Sequence, residues 1–305
     1  MPSLAFIVFL FYNVRKKKCM KKVLLIISGY KKGAEELSKK IVEFLRQNHY
    51  EPISMMYDGY GAKRSDKTLN ADFDFVISLG GDGNVLFASR FAAERCIPVI
   101  PINFGQFGFI ANIQPADWED ALKDFLDGKQ ESHFRLLFNI EVLRSNACIA
   151  RYTALNEAVV SGSGVAKLIS LELIYNEMSF GIFRADGVIV ATPTGSTAYA
   201  VASGGPILDP TLNALVISPI APFTLSNRPV VLPTCKPLIM KVLPQRQKEL
   251  LLSIDGQESV LLREGDEVRI TQSETKVNLI GCSQKHFYEA LRAKLGWSGS
   301  FTLNE

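Results

Sequence analysis

The sequence predicts an α/β N-terminal domain with a parallel sheet, an all-β C-terminal domain, and a C-terminal helix that packs back on the first domain. Up to about residue 130, short apolar runs alternate with segments of helical period, which indicates strand–helix units and a parallel sheet. From Glu131 onward, short alternating runs follow one another between turn residues, which favours a sandwich or a pair of packed sheets. A chain of 305 residues also exceeds the length that one core usually serves.

Four segments are predicted: an extension over 1–19, an α/β domain over 20–130, a β domain over 131–283, and a helix and tail over 284–305. Leu4 to Tyr12 is almost wholly apolar and precedes the basic run Arg15 to Lys18, but it is too short to span a bilayer. A signal peptide requires a positive charge before its apolar stretch, and none precedes this one. We expect residues 1–19 to lie outside the fold and to come from a start codon assigned too far upstream. The alternative is a weak anchor at a membrane surface.

In the N-terminal domain the apolar patterns predict four strands and three helices. The strands are Val23 to Ser28, Pro52 to Tyr57, the run beginning at Phe75, and Ile97 to Asn103. Helices are expected over Gly33 to Asn48, from near Asn84, and over Trp118 to Leu126, where Asp117 is a candidate N-cap and Gly128 a candidate stop.

The β domain is predicted from nine short runs of alternating apolar residues. They are Phe134 to Leu143, Tyr152 to Val160, Leu168 to Tyr175, Gly187 to Ala191, Leu215 to Ser218, Leu238 to Leu243, Leu250 to Ile254, Glu267 to Thr271 and Val277 to Ile280. After them, Phe287, Ala290, Leu291 and Leu295 form one apolar stripe of a terminal helix.

The stretch from Phe75 to Asn84, FVISLGGDGN, is a buried strand, a glycine turn and a helix start. Gly80, Gly81 and Gly83 lack a Cβ, so the backbone is free to adopt positive φ and an anion can approach the amides at the helix N-terminus. A carboxylate among such amides repels phosphate unless it has a chemical role. Asp82 therefore predicts a metal ligand or the acceptor of a hydroxyl proton, the alternative being a simple helix cap.

A second strand, glycine loop and helix junction lies in Asp186 to Tyr199, DGVIVATPTGSTAY. Ser196 or Thr197 occupies the expected N-cap position, and the hydroxyls of this run exceed the needs of one cap, which predicts a polar pocket wall or a hydroxyl-rich turn. Asn156 and Glu157 interrupt an apolar stretch, where burial is costly without partners. They are candidates for binding the vicinal hydroxyls of a ribose, or for a satisfied structural pair.

Composition excludes several classes of protein. Thirty-four basic against 31 acidic residues give a net charge of +3, too small to indicate nucleic-acid binding. Five separated cysteines and three histidines show no zinc-ligand spacing, which favours free thiols in a reducing cytoplasm. Neither G-x-G-x-x-G nor a P-loop pattern follows a strand, so ordinary dehydrogenases and Walker-type ATPases are disfavoured.

Six motifs, in this order and spacing, resemble those of bacterial NAD kinases. They are LGGDGN at 79–84, NFGQFGF at 103–109, NE at 156–157, DGVIVATPTGSTAY at 186–199, SGGP at 203–206 and PIAPFTLSNRP at 219–229. The resemblance covers about Met20 to Trp297. GGDG alone is not specific, because diacylglycerol and sphingosine-type lipid kinases share it, whereas the TPTGSTAY run with NE is highly specific.

The resemblance implies phosphoryl transfer from ATP, or from polyphosphate, to the 2′-hydroxyl of the adenosine ribose of NAD, giving NADP. It implies Asp82 as proton acceptor, with Mg²⁺ as the cofactor on the phosphates and no metal site built by the protein itself. The resemblance also implies that the glycine turn, with Asn84, forms a loop that binds phosphate. The NAD-binding residues implied are Asp82, Gly83, Asn156, Glu157, Lys167, Arg184, Asp186, Thr197, Ala198, Tyr199, Ala200, Val201, Ala202 and Gln257.

Three positions depart from the family pattern. Asn84 stands where many relatives have Thr, Phe107 where an aliphatic residue is common, and Phe223 where His is common. The last change puts in doubt any role of that His in this chain.

The family resemblance further implies a homodimer or homotetramer, with NAD and ATP as ligands and neither nucleic acid nor membrane as a partner. Two alternatives stay open at this point. A lipid kinase shares GGDG, and a non-catalytic NAD-binding regulator is possible in principle, although Asp82 is retained.

Overall fold

The computed structural model describes residues 20–59, 67–105, 108–163, 168–224, 226–246 and 249–296. The expectations for residues 1–19, for Phe107 and for Lys167 lie outside these ranges. Among the described residues, no helix is both long enough and apolar enough to cross a bilayer.

The N-terminal region is a parallel α/β sheet, as predicted. Its elements are β1 (Lys21–Ser28), α1 (Ala34–Gln47), β2 (Tyr50–Tyr57), a 3₁₀ turn (Lys67–Asn70), β3 (Phe75–Gly80), α2 (Asp82–Ala93), β4 (Val99–Asn103) and α3 (Trp118–Leu126). The strand order is β2-β1-β3-β4, and every pair is parallel. The order of β2, β1 and β3 places a topological switch point beside β1 and β3, where such folds bind ligands.

Both faces of this sheet are covered, so its central strand β3 is buried at every position. On one face, side chains such as Leu25 and Ile77 pack with α1 and α3. On the other, Ile26 and Val76 pack with α2 and with residues of the β region, including Leu155. This second layer joins the two halves of the chain through apolar contact.

The rest of the chain forms two antiparallel sheets around one core. Its elements are β5 (Phe134–Arg144), β6 (Ala147–Ala154), β7 (Glu157–Gly162), β8 (Ile169–Tyr175), β9 (Met178–Ala185), β10 (Gly187–Ala191), a 3₁₀ turn (Gly195–Thr197), α4 (Tyr199–Ala202), β11 (Ala214–Ile220), β12 (Val230–Pro233), β13 (Leu238–Val242), β14 (Leu250–Ile254), β15 (Glu258–Leu262) and β16 (Glu267–Asn278). The two six-stranded orders are β12-β11-β10-β7-β14-β15 and β6-β5-β16-β13-β8-β9. The fold class predicted from the sequence is confirmed.

Several strands differ from the predictions. The run Tyr152 to Val160 is not one strand, because the chain leaves β6 at Ala154 and enters the other sheet at Glu157. The last two predicted runs are one strand, β16, with an irregularity between Gln272 and Lys276. The sequence analysis missed β9, β12 and β15, all of which are edge strands. Few side chains of these three strands are buried, so their sequences lack a clear apolar pattern.

The chain then forms a C-terminal helix, α5 (Gln284–Leu295), which contacts both halves of the molecule. Ser283 caps it by accepting a hydrogen bond from the backbone N–H of His286 at 3.3 Å. The ring of Phe287 lies 6.2 Å from that of Phe109, in the N-terminal region. Gln284 donates to Asp209, in the β region. The helix therefore packs back on the first domain, as predicted, and also closes the junction.

Candidate functional site

A cleft of about 770 Å³ lies where the two halves of the chain and α5 meet. Ligand pockets for molecules of nucleotide size have volumes in this range. Its described lining residues come from five separate stretches of the chain. They are Asp82, Phe109, Ile110, Asn156, Thr194, Thr197, Ala198, Ala293, Lys294 and Leu295. The glycine turn and the Asn156 loop, 74 residues apart in sequence, thus border one cavity.

Asp82 is the first residue of α2, and its carboxylate is held from outside the helix. It accepts hydrogen bonds from the backbone N–H groups of Phe109, Ile110 and Ala111 at 3.1, 3.4 and 3.1 Å. Asp82 is therefore not a cap of its own helix; Gly81 occupies the N-cap position. A fixed carboxylate at the edge of a cavity is well placed to accept a proton from a bound hydroxyl.

Gly108 makes this arrangement possible. A Cβ at position 108 would collide with Oδ1 of Asp82, and it would lie 2.8 Å from the carbonyl oxygen of Ala111. Only a residue without a side chain lets the loop wrap this closely around the carboxylate.

The glycines of the GGDG turn do not have the positive φ angles that their sequence allows. None of Gly80, Gly81 and Gly83 is among the residues with positive φ, and Gly81 is extended at φ −97°. Gly80 is needed for close packing, because a Cβ there would lie 2.7 Å from that of Asn84. The buried Asn84 donates to the carbonyl oxygen of Ile26 at 2.9 Å, which ties the turn to β1.

The loop that carries Asn156 is organised by a buried aspartate. Oδ1 of Asp255 accepts from the backbone N–H groups of Asn156 and Glu157 at 2.8 and 3.0 Å, and Oδ2 accepts from Leu155 at 3.0 Å. Sequence reasoning noted only a turn at Asp255 and Gly256. The aspartate keeps the Asn156 side chain at the cavity wall.

Glu157 is 7% exposed, and its Oε2 has no hydrogen-bond partner among the described residues. Burial, followed by the nearby negative charge of Asp255, raises the pKa of Glu157 from 4.5 to about 8. The side chain is therefore neutral near pH 7 and is able to donate a hydrogen bond. Glu157 itself is not among the residues that line the cleft.

The hydroxyl-rich run has two functions. Thr192 donates to the carbonyl oxygen of Leu155, and Ser196 donates to that of Pro193 at 2.6 Å, so these hydroxyls shape the turn. Thr194 and Thr197 line the cleft, as expected of a polar pocket wall.

The predicted N-cap in this run is wrong. Ser196 and Thr197 lie in a 3₁₀ turn, and Ala198 precedes α4 without a capping side chain. Gly195 is required, since a Cβ there would collide with the backbone carbonyl oxygen of Asn156.

A second cavity, of about 530 Å³, lies on the other side of the glycine turn, at the carboxyl ends of β1, β2 and β3. Its described lining residues are Ser28, Tyr30, Lys31, Tyr57, Gly59, Gly81, Gly83, Asn84, Leu86, Asp255, Gly256 and Gln257. Gly81 and Gly83 therefore face a space that also carries a cation, Lys31.

Sequence reasoning missed Lys294, which lines the large cleft from α5. Its Nζ lies 4.8 Å from the centroid of the Phe109 ring. Among the described lining residues, it is the single cation. In the sequence, Lys294 is recognisable only as a basic residue in the last turn of an amphipathic helix, which does not by itself indicate a ligand site.

The other predicted NAD-binding residues lie away from the lining of the large cleft. Arg184 is exposed on β9, and Asp186 follows it at the junction with β10. Tyr199, Ala200, Val201 and Ala202 form α4, with Ala200 fully buried. Gln257 lines the second cavity and donates to the carbonyl oxygen of Gly83 at 2.6 Å.

The chemistry available at this cleft is narrow. One fixed carboxylate, a wall of hydroxyl and amide groups and one cation suit the transfer of a charged group to a bound hydroxyl, which depends on positioning and charge neutralisation. Together with a glycine turn at the end of a parallel strand, these groups define a kinase.

Comparison with known proteins identifies the family to which this kinase belongs. Residues 23–130 match the family model described as ATP-NAD kinase N-terminal domain, and residues 155–282 match ATP-NAD kinase C-terminal domain. The chain is 55% identical to a protein named NAD kinase from Treponema denticola over 92% of this chain and 98% of that one. It is 45% identical to NAD kinase from Treponema pallidum, over 92% and 90% of the two chains.

Solved structures agree on the fold. The yeast NADH kinase complexed with NADH has a TM-score of 0.81 at 20% identity, covering 94% of this chain and 91% of that chain. An NAD kinase from Archaeoglobus fulgidus in complex with ATP has a TM-score of 0.70 at 27% identity, covering 88% and 96%. The chain belongs to the NAD kinase family. The lipid-kinase alternative is not favoured.

Proposed function

We propose that this kinase transfers the γ-phosphoryl group of ATP to the 2′-hydroxyl of the adenosine ribose of NAD, giving NADP and ADP. The observation that carries the proposal is the shared cleft: Asp82 from the glycine turn and Asn156 from the β region border one space. The names of the relatives support the same reaction.

In this reaction Asp82 accepts the proton of the ribose 2′-hydroxyl. The 2′-oxygen forms a bond to the γ-phosphorus of ATP, and the bond between that phosphorus and ADP breaks. The three backbone N–H groups hold the carboxylate in place during the transfer. Asn156 binds the ribose from the opposite wall. Glu157, protonated near pH 7, supplies a donor behind it.

The donor binds, in our proposal, in the second cavity, where Gly81, Gly83 and Lys31 contact its phosphates. The ATP complex of the Archaeoglobus relative supports ATP as donor, and polyphosphate offers the same phosphate chemistry. Within the described ranges, no group of three or more His, Cys, Asp or Glu side chains is placed to hold a metal ion. We propose that Mg²⁺ binds with the donor phosphates, as is usual for this ion, and that its charge neutralises theirs.

We also propose, on the family resemblance, that Lys167, Arg184, Asp186, Gln257 and the segment 197–202 contribute to NAD binding. Thr197 and Ala198 have structural support, because they line the cleft.

A homo-oligomer built through the β region is a further part of the proposal. The edge strand β9 exposes Met178, Phe180 and Ile182, and an apolar edge of this kind favours association. The free thiols at Cys96, Cys148, Cys235 and Cys282 support a reducing compartment, for which we propose the cytoplasm.

The function is tested with purified protein, Mg²⁺, ATP and NAD, using formation of NADP as the readout. We expect Asp82→Asn to lower kcat by about 10²- to 10⁴-fold, the range for loss of a general base. The dissociation constant for NAD should change little, because the amide keeps the size of the carboxylate. Asp120→Asn, on the exposed face of α3, is the control and should retain full turnover. Undiminished kcat in Asp82→Asn would refute the assignment of the base.

A further inference from the structure

Asp255 lies in the turn between β14 and β15, and its contacts reach both halves of the molecule. Its side chain is completely buried, and its backbone adopts φ 51°, in the left-handed region that non-glycine residues rarely occupy. This φ belongs to the tight turn between β14 and β15, in which Gly256 also has positive φ and Asp-Gly is a favoured pair. From this turn the carboxylate accepts hydrogen bonds from the backbone N–H groups of residues 155 to 157, and so lies under the loop that carries Asn156.

The same carboxylate is paired with a cation from the other half of the molecule. Nη1 of Arg90 lies 3.0 Å from Oδ2 of Asp255. Nη2 of Arg90 donates to Oε1 of Gln257 at 2.7 Å, and Nε lies 3.4 Å from Oε1 of Glu258. Arg90 therefore binds one turn of the β region at three points.

Arg90 belongs to α2, the helix whose first residue is Asp82, and it lies about two turns further along. The network returns to the start of that helix, because Nε2 of Gln257 donates to the carbonyl oxygen of Gly83 at 2.6 Å. The rigid unit that carries Asp82 is thus joined at two points to the unit that carries Asn156.

We infer that Arg90 and Asp255 are positioning residues that fix the spacing between Asp82 and Asn156 for phosphoryl transfer. Neither residue lines the large cleft. A buried ion pair between two halves of a protein adds little stability relative to an apolar pair, but it specifies one geometry. A displacement of about 1 Å in such a site is enough to lower the rate by about 100-fold.

The chain contains a matched control pair. Arg144 binds Asp266 through Nε at 2.8 Å and Nη2 at 2.7 Å, and the Asp266 side chain is 1% exposed. This pair lies wholly within the β region and touches none of the residues that border the cleft. It is a buried aspartate with an arginine partner, without a connection to Asp82 or Asn156.

The experiment compares Arg90→Met and Arg144→Met, measuring the thermal midpoint of unfolding together with kcat and KM for NAD. We expect a drop in the midpoint for both variants, but a fall in kcat of about 10- to 100-fold for Arg90→Met alone. Arg90→Lys, which keeps the charge near Asp255 but not the fork to Gln257, should recover part of the lost kcat. It also serves as the readable variant if Arg90→Met does not fold.

A second arm separates positioning from general structural damage. We measure the single-turnover rate of NADP formation with and without Arg90→Lys, in the unaltered protein and in Asp82→Asn. In Asp82→Asn the rate should fall by less than half of the factor by which it falls in the unaltered protein, because the position of residue 82 no longer limits the rate. Unchanged kcat in folded Arg90 variants, or an equal fold-loss in both backgrounds, would overturn the inference. The inference rests on the proposed NAD kinase reaction; absence of NADP formation by the unaltered protein would instead refute that function.

Discussion

Two carboxylates near the cleft lie in opposite environments, and this difference supports the roles that we propose for them. Asp82 faces the cavity with three backbone N–H donors around it. Glu157 is buried, and its Oε2 has no partner in the described part of the chain. Enzymes separate acid and base functions through such contrasts. Asp82 is suited to accept a proton, and Glu157 to keep one.

The raised pKa of Glu157 predicts a specific dependence of stability on pH. Between pH 4.5 and about 8, the folded protein keeps the proton of Glu157 while the unfolded chain releases it. Stability therefore falls as pH rises through this window, by up to about 1.4 kcal/mol per pH unit from this group, and becomes constant above it. Glu157→Gln is always neutral and should lack this decline.

Urea unfolding of both proteins at pH 5, 7 and 9 measures this effect. We expect the free energy of unfolding of Glu157→Gln, relative to the unaltered protein, to increase from pH 5 to pH 7 and by a smaller amount from pH 7 to pH 9, because the effect ends near pH 8. A constant difference over the three pH values would show that Glu157 ionises normally in the folded state.

At the scale of single residues, Asp82 and Asn156 were predicted from the sequence and both border the cleft, but the residues that hold them were not predicted. Arg90 and Asp255 act through contacts 165 positions apart, which no local pattern encodes. The sequence contains one signal: Arg90 stands in the mostly apolar run from Val85 to Ala93, and an arginine that is buried with such a run requires a partner. The identity of that partner depends on the tertiary fold.

At the scale of elements, most strands were predictable, whereas three edge strands of the two antiparallel sheets, β9, β12 and β15, were not. The predicted bounds of α3, β10 and β14 agree with the structure. In β9 the outward side chains Met178, Phe180 and Ile182 are apolar, so the usual alternation of apolar and polar residues is absent.

The role of α5 was only half predictable. Its stripe of Phe287, Ala290 and Leu291 is buried as expected, but Leu295 is 41% exposed and borders the cleft. The last turn of α5 therefore serves the site rather than the core. Tyr288 and Gln284 hold the helix in place by donating to Asp209 at 2.8 and 2.6 Å.

This position of α5 predicts that Lys294 neutralises a bound phosphate. Lys294→Met keeps the length of the side chain without its charge, and we expect KM for NAD or for ATP to rise roughly tenfold, the effect of losing one charge-assisted hydrogen bond. Steady-state kinetics with each substrate varied in turn shows which ligand's phosphate the lysine contacts.

Lys285→Met, on the same helix, is the matched control. Lys285 is 83% exposed at its side chain and lies 3.9 Å from Glu289, so its loss should leave both KM values unchanged. Equal KM values for Lys294→Met and the unaltered protein would exclude the proposed contact.

At the scale of the whole molecule, the architecture brings two glycine-containing loops to one junction. The turn after β3 supplies Asp82, the turn after β10 supplies Thr194 and Thr197, and α5 closes the space between them. The order of motifs in the sequence indicated the family and hence this arrangement. The cleft, its volume and its cation required the structure, because they result from the packing of segments far apart in the chain.

In the proposed reaction, Asp82 and Asn156 act on the same ribose. The most direct test is a crystal structure of Asp82→Asn, for which we expect slow turnover and nearly unchanged NAD binding, in complex with NAD. We expect the adenosine 2′-oxygen to lie about 3 Å from the side chain of residue 82 while the same ribose contacts Asn156. An adenosine ribose bound outside this cleft, or one that touches Asn156 with its 2′-oxygen turned away from residue 82, would contradict it.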